Sequence, residues 1–509
     1  MLARVHTAQV TGLRADTIDV EVDVSRGLHS FSIVGLGDKA VDEAKDRIRA
    51  AIKNSGIVLP AQGSKKIIVA LAPAHLRKEG TSFDLAIALA YLSAQDAIKL
   101  RGEKRLFVGE LSLGGEVRPV TGALLIAQHA QKQGFTEMYL PKENAAEASL
   151  VSGLTIFPVG TLGEALAHLD EQEGTARKLI THFSVTEQKS VSKTARYDFS
   201  DIVGQASAKR GLEIAAAGGH NALMFGPPGT GKTMLARAFP GILPALTFEE
   251  MLEVTGIHSV AGTLHGGVVS EPPFRAPHHT ASYPSIIGGS AHPKPGEITL
   301  AHRGVLFLDE FPEFDRRVIE ALREPLEERT VSISRAKGSF HFPAHTTLIA
   351  TMNPCPCGNR GHKTKECVCP PASLLQYDRK LSGPVVDRID LWLEVPAIEY
   401  RQMRDQKGES STTIKERVVR ARERQAERFR SSSIKTNAEM SAKHISKYTP
   451  LTTKLADTLD HAAEKLSLSL RAYHRIIKIA RTIADLADSD SITESHLLEA
   501  IQYRPRQSS

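Results

Sequence analysis

The run ALMFGPPGTGKTMLARAF occupies residues 222–239 and decides the fold of the middle of the chain. Its first four residues are continuously apolar, as a strand buried on both faces of a parallel sheet requires. Its last six read as a helix. Between them lies the octet Gly226-Pro227-Pro228-Gly229-Thr230-Gly231-Lys232-Thr233. Strand, glycine-rich octet and helix together make a phosphate-binding loop. The glycines let backbone N–H groups turn inward around phosphates. The helix starting near Lys232 adds its positive dipole end. Lys232 is expected to reach the β- and γ-phosphates of ATP, and the Thr233 hydroxyl to bind Mg2+.

Further along, Val305-Leu306-Phe307-Leu308-Asp309-Glu310 is a second continuous apolar run, ending in two carboxylates. Asp309 is placed to hold Mg2+, and Glu310 to polarise an attacking water as general base. An acidic strand end facing solvent is the plainer alternative. Thr347–Thr351 is a third apolar run of the same kind.

Working outward, three regions separate. Residues 1–170 alternate short strands (Lys66–Leu71, Leu106–Val108, and Glu137–Leu140 closed by Pro141) with helical stretches (Val41–Asn54, Asp84–Ala94). That alternation predicts an α/β domain. Residues 171–198 are polar and aperiodic, as a linker is. Residues 199–395 carry the phosphate loop and its apolar strands, and residues 396–509 turn helical and charged.

With 509 residues, the chain has room for roughly three domains. It is 41% hydrophobic and 24% charged, which fits a soluble globular protein. No apolar run reaches the ~18 residues of a membrane span. The start, MLARVHTAQV, lacks the apolar core of a signal peptide. A cytoplasmic location without membrane partners is expected. The net charge of +6 and pI of about 9.0 are weak pointers to a polyanionic partner.

All four cysteines fall between 355 and 369. Cys355-x-Cys357 and Cys367-x-Cys369 are two pairs that could fold around one tetrahedral Zn2+ with a structural role. Pro354, Pro356 and Gly358 would bend the chain about the metal, and His362 is a substitute ligand. Four reduced, unligated thiols are the alternative, though clustered exposed thiols oxidise readily. His278 and His279 sit on a loop. Lys415–Arg430 is a helix with more basic than acidic residues, read first as a solvated face and second as a nucleic-acid contact.

GPPGTGKT, GVLFLDE, TTLIATMNPCPCG, LSGPVVDRIDL, SLRAYHRIIKIARTIADL and PFRAPHHTAS (273–282) together resemble AAA+ proteins related to the magnesium chelatase ATPase subunit. More narrowly, the whole chain is similar to the bacterial YifB/ComM group. The resemblance implies an α/β fold: an AAA+ P-loop core with a C-terminal helical lid, preceded by a Lon-protease-like (ribosomal protein S5 domain 2-like) α/β domain. It implies a homo-hexamer with nucleotide between subunits. Asn353 would be sensor 1, Arg388 the arginine finger and Arg471 sensor 2. Residues 250–300 would contain a helix-2 insert, and 331–344 a pre-sensor-1 hairpin. Alternation around Lys337-Gly338 supports the hairpin locally. In related rings these elements line the pore, so Arg335 and Lys337 could meet a DNA backbone; a solvated turn is the alternative.

The activity implied is that of an ATP- and Mg2+-dependent hexameric helicase. It would promote branch migration while single-stranded DNA is integrated in natural transformation. Single-stranded and branched DNA and recombination proteins would be its partners. A chelatase-type motor, remodelling a protein partner or inserting metal into a tetrapyrrole, is the second reading; the N-terminal domain and the cysteines count against it. An ATP-dependent protease is the third. Residues 79–91 and 109–144 carry the Lon-like similarity, and Ser82 matches the protease serine. The lysine expected in GGEVRPVTGAL is absent, with Arg118 and Pro119 in its place. A guanidinium cannot give up its proton near neutral pH. The domain is therefore read as non-proteolytic, serving ring assembly or the binding of DNA or a partner. Ser82 is expected to cap the helix starting near Asp84.

Overall fold

Along Arg14–Arg26, Ile18, Val20 and Val22 are buried while the residues between them are less so, the period-2 signature of a strand with one face on a core. In the computed structural model this strand is the third of seven in a mixed sheet. The described residues are 2–28, 30–57, 65–100, 104–169, 197–264, 267–289, 294–335, 338–361, 365–380, 383–397 and 408–504. They divide into two units, Met1–Ser190 with Phe248–Val269, and Val191–Thr247 with Ser270–Ser509.

In the first unit the strands are β1 (Leu2–Thr11), β2 (Arg14–Arg26), β3 (Ser30–Val34), β4 (Lys65–Ala72), β5 (Arg105–Phe107), β6 (Glu110–Leu111), β7 (Val117–Arg118), β8 (Glu137–Pro141) and β9 (Thr155–Val159). The main sheet runs β3-β4-β2-β1-β5-β8-β9, and β6 pairs with β7. Neighbouring residues of one strand fall in different cores: Tyr139 packs with Ile48 and Leu89, while Met138 and Leu140 pack with Ala127 and Ile156. Both faces of the sheet are therefore covered. Helix Lys39–Asn54 is capped by Asp38, whose carboxylate accepts from Val41 N, and it buries Val41, Ala44, Ile48, Ala51 and Ile52. Helix Asp84–Ala94 is buried almost all round.

The N-cap of that helix is Phe83, with no side-chain cap. The capping role expected of Ser82 is not realised. Instead Asp84, in the first turn, takes a bidentate ion pair from Arg47 (2.7 and 3.0 Å) and accepts from Leu111 N at 3.2 Å. Arg118, at the position where a protease lysine was sought, lies 3.4 Å from Glu110.

Helix Phe248–Ala261 also belongs to this first unit. Reading 199–395 as one core placed it elsewhere, so that boundary is corrected. Val254 and Ile257 are buried. A Cβ on Gly256 would lie 3.1 Å from Leu125 Cδ2, so the glycine lets this helix approach Ala123–Lys132 closely. Ser259 Oγ accepts from Gly122 N at 2.9 Å and donates to the Glu147 carboxylate.

In the second unit the strands are β10 (Ala222–Phe225), β11 (Phe274–Arg275), β12 (Val305–Leu308), β13 (Thr330–Arg335), β14 (Gly338–Pro343), β15 (Thr347–Met352) and β16 (Leu391–Glu394). Five form an all-parallel sheet in the order β11-β12-β15-β10-β16. β13 and β14 make the expected antiparallel hairpin, in register from Thr330↔Pro343 to Arg335↔Gly338. Helices Ser411–Arg428, Ala442–Tyr448, Thr453–Lys465, Leu470–Leu486 and Glu494–Gln502 follow. One continuous core joins Leu212, Met224 and Ile349 to Ile414, Ile476 and Ile483 of these helices. The expected linker falls almost wholly outside the described residues, as do 398–407 near the start of the C-terminal helices.

Helix Ser411–Arg428 keeps a solvated face at Glu416, Arg420, Glu423 and Glu427, but four of its arginines turn to the protein. Arg417 pairs with Glu213 and Glu409, Arg422 donates to Ala216 O, Arg424 pairs with Asp490, and Arg428 pairs with the buried Asp485. These are tertiary contacts within the second unit. Among the described residues no helix is long and apolar enough to cross a membrane.

Candidate nucleotide site and cysteine centre

The loop after β10, the carboxylates after β12 and Asn353 after β15 come from three adjacent parallel strands. Their carboxyl ends form the edge where open α/β sheets bind ligands. Gly229 (φ +78°) and Gly231 (φ +91°) take left-handed conformations that favour glycine, and a Cβ on either would point into open space. Helix Lys232–Ala238 starts at once, with Gly231 as its N-cap.

Lys232 is buried, and its ammonium donates to Gly226 O and Pro227 O (both 2.8 Å) and to Asn353 Oδ1 (3.2 Å). Burial lowers its pKa, against the opposing pull of Asp309 and Glu310. Thr233 Oγ1 donates to Asp309 Oδ2 at 3.0 Å. The structure thus brings Lys232, Thr233, Asp309 and Asn353 together. The donor set fits Mg2+ with a nucleotide: a hydroxyl and a carboxylate side by side, and an ammonium beside an open glycine cradle.

Glu310 has φ +52°, a strained conformation for a non-glycine residue of the kind found at functional sites. Its backbone N–H donates to Thr351 Oγ1 (3.1 Å), and the same hydroxyl donates to Asp309 Oδ1 (2.5 Å). The Glu310 side chain is exposed, with His279 Nδ1 3.7 Å away. Sequence reasoning missed Thr351, whose signal was a hydroxyl residue inside an otherwise apolar strand. It also missed Gln205, which is buried and donates to Thr230 O (3.3 Å) and Pro396 O (2.8 Å).

Arg388 and Arg471 lie elsewhere from this group, and together. Both pair with the Glu327 carboxylate, Arg471 at 2.9 Å. Arg475, buried one helical turn past Arg471, donates to the carbonyls of Asp387 (2.7 Å) and Ile389 (2.8 Å) on either side of Arg388. Asn221 Nδ2 donates to Arg388 O (3.0 Å). Arg329, Arg388, Arg471, Arg475 and Lys478 line one cleft of ≈ 980 Å3. Lys337 and the side chain of Arg335 lie outside the described residues, as does His362.

Past β15, Cys355 Sγ lies 3.4 Å from Cys357 Sγ and 3.7 Å from Cys367 Sγ, and Cys357 Sγ lies 3.7 Å from Cys367 Sγ. The sulfurs of all four cysteines fall within 4.8 Å of one another, and all four are free thiols. A tetrahedral zinc with Zn–S of about 2.3 Å has S···S edges of about 3.8 Å. The sulfurs of Cys355, Cys357 and Cys367 lie near that spacing, with the sulfur of Cys369 within 4.8 Å of them. Two backbone N–H groups point at sulfurs, Arg360 N at Cys355 (3.3 Å) and Cys357 N at Cys369 (3.4 Å), as they do around metal-bound thiolates.

The families described as Magnesium chelatase, subunit ChlI, as Subunit ChlI of Mg-chelatase and as Magnesium chelatase, subunit ChlI C-terminal match residues 198–403, 20–144 and 408–504. An uncharacterized protein YifB of Salmonella typhimurium is 45% identical over 509 residues, covering 99% of this chain and 97% of its own. Competence protein ComM of Haemophilus influenzae is 43% identical over 513 residues, with the same two coverages. A Lon protease of Brevibacillus choshinensis is 30% identical over 177 residues, 32% of this chain and 23% of its own. The chain therefore belongs to the magnesium-chelatase-related YifB/ComM family.

Proposed function

We propose that the chain is an ATP-hydrolysing ring motor that acts on DNA, a homo-hexameric helicase promoting branch migration when single-stranded DNA is integrated in natural transformation. One observation carries the hydrolytic part: at three adjacent strand ends Lys232 donates to Asn353 and Thr233 donates to Asp309. ATP is the substrate, and Mg2+ held by Thr233 and Asp309 would neutralise charge developing on its phosphates. Gly226 to Thr233 wrap the phosphates, Lys232 holds their outer oxygens, and Glu310 orients and deprotonates the attacking water. Asn353 offers an amide to the γ-phosphate or to that water.

Arg388 acts on the phosphates of a neighbouring subunit as the arginine finger, and Arg471 serves as sensor 2 on the C-terminal helical lid. Their shared cleft, with Arg329, Arg475 and Lys478, gives that reading its physical support. Glu327 holds both guanidiniums until the competing phosphates arrive. Arg335 and Lys337 are the residues that would meet the DNA backbone. The four cysteines hold a structural Zn2+. The DNA reading draws on the competence name of the Haemophilus relative and on the net charge of +6. Recombination proteins are its partners, in the cytoplasm. A chelatase-type motor is the second reading, favoured by the description of the matched family.

The test is steady-state ATPase activity alone, with single-stranded DNA, with duplex and with a four-way junction, beside Lys232→Ala. Several-fold stimulation by DNA at low salt, absent from the mutant, is the expected result. Stimulation by a tetrapyrrole, with no response to any DNA, would move the assignment to the chelatase-type motor.

A further inference from the structure

The cysteine centre touches the nucleotide site at two points. Gly358, inside the centre, has φ +79°, and a Cβ there would lie 2.7 Å from Pro228 Cδ. The backbone beside Cys357 is thus pressed against a proline of the phosphate loop. Asn353, two residues before Cys355, is gripped from both ends: its Oδ1 accepts from Lys232 Nζ, and its carbonyl accepts from Tyr377 Oη at 3.0 Å. Tyr377 is buried, which raises its pKa and keeps it a neutral donor. It sits on helix Pro371–Lys380, which begins two residues after Cys369. The segment from Asn353 to that helix is therefore a loop whose two ends meet again at Asn353.

Among its described residues, 353–370 contain no helix or strand. No ladder among the described residues fixes the path of the loop; beside the turn bond from Gly358 N to Cys355 O and the Arg360–Asp378 pair, its clustered cysteines are what hold it together. Ordering such a segment costs about 1–2 kcal/mol per residue. A metal that ties four side chains is an ordinary way to offset that cost.

We infer that the cysteine centre, with Zn2+ bound, is the positioning device of the nucleotide site: it seats Pro228 and Asn353, and through them the phosphate loop and Lys232. The inference rests on the zinc reading above and adds a consequence for ATP. Loss of the metal releases the loop, so Pro228 loses its support and the Asn353–Tyr377 contact loosens. Nucleotide binding weakens although no residue that touches nucleotide has changed.

The test uses the full-length chain. Bound zinc is quantified by mass spectrometry, and affinity for a fluorescent ATP analogue is measured before and after reducing chelation. The expected result is one zinc per chain. Stripping weakens nucleotide binding by about ten-fold and raises KM for ATP more than it lowers kcat, and added Zn2+ restores both. Gly358→Ala is the second arm. It keeps its zinc, but its methyl group pushes on Pro228, and nucleotide affinity falls in the same direction. If stripping unfolds the chain, as loss of its thermal transition would reveal, Gly358→Ala decides alone. A chain that takes up no zinc overturns the metal reading itself. A zinc-loaded chain whose nucleotide affinity is unmoved by stripping and by Gly358→Ala overturns the positioning role and leaves the metal reading intact.

Discussion

Thr351 makes two hydrogen bonds that decide where both carboxylates of the candidate site stand: one to Asp309, one from the backbone of the strained Glu310. Thr351→Val keeps the β-branched shape in the strand and removes both. Hydrogen bonds to charged groups contribute about 1.5–3 kcal/mol, so kcat for ATP should fall by roughly 10- to 100-fold, while nucleotide affinity, set by Lys232 and the loop, stays within a few-fold. Turnover beside equilibrium binding checks this, and an unchanged kcat would remove Thr351 from the machinery. Glu310→Gln should be more severe, at least about 100-fold in kcat with binding retained. Lys232, Thr233 and Asp309 were legible because each lies in a short run whose spacing carries its chemistry, whereas Asn353 came from the family resemblance. Thr351, Gln205 and Arg475 were not, since each acts through a partner brought near only by sheet register or helix packing. Arg475 is the instructive case. The resemblance pointed to Arg471, but the buried arginine one turn on is the one that grips the backbone around Arg388.

At the scale of elements, strands β10 and β12 stand where their apolar runs put them, and β13 and β14 pair where the alternating residues put them. The helix Ser411–Arg428 was read otherwise because the acids that pair with its arginines, Glu213, Asp485 and Asp490, are distant in sequence. Helix Phe248–Ala261 carries a pH prediction through Glu147. Burial raises the Glu147 carboxyl above its ordinary 4.5, despite hydrogen bonds from Ser259, Asn144 and Leu124 N. Between pH 4.5 and the raised value, the folded chain keeps a proton that the unfolded chain has released. Rising pH therefore favours unfolding: the stability contributed is full below about pH 4.5 and is lost as pH climbs through the native pKa. Glu147→Gln carries no such proton. The difference in Tm between Glu147→Gln and the wild-type chain should shift in favour of the mutant from pH 5 towards pH 8. Calorimetry across that range reads it, and a difference that is flat or shifts the other way would contradict the assigned burial.

At the scale of the whole molecule, the chain leaves the second unit after Thr247 and returns at Ser270. Sequence motifs are contiguous, so the ATPase region read as one block from 199 to 395; nothing in the local pattern of FEEMLEVTGIHSVA says which core it joins. Its apolar residues are spread round the helix rather than gathered in one stripe, as in a helix covered on several sides. The covering comes from Leu124 and Leu125 at Gly256, and from the hydrogen bonds of Gly122 and Glu147 to Ser259. A chain that starts at Tyr197 keeps the phosphate loop and every strand of the parallel sheet, yet it strips this helix of its partners. Val254 and Ile257 would meet water at about 1.5–3 kcal/mol each, a large share of the 5–15 kcal/mol by which a native protein is stable. The truncated chain should aggregate or unfold several degrees below the full-length protein, and its nucleotide affinity should fall with it. Val254→Ser/Ile257→Ser in that truncation separates the causes. If exposed apolar surface is the fault, the double change recovers solubility; if the loss of the Ser259 contacts dominates, it does not. A truncated chain that is soluble, unfolds cooperatively and binds nucleotide like the full-length protein would mean that the helix Phe248–Ala261 needs no cover from the first unit.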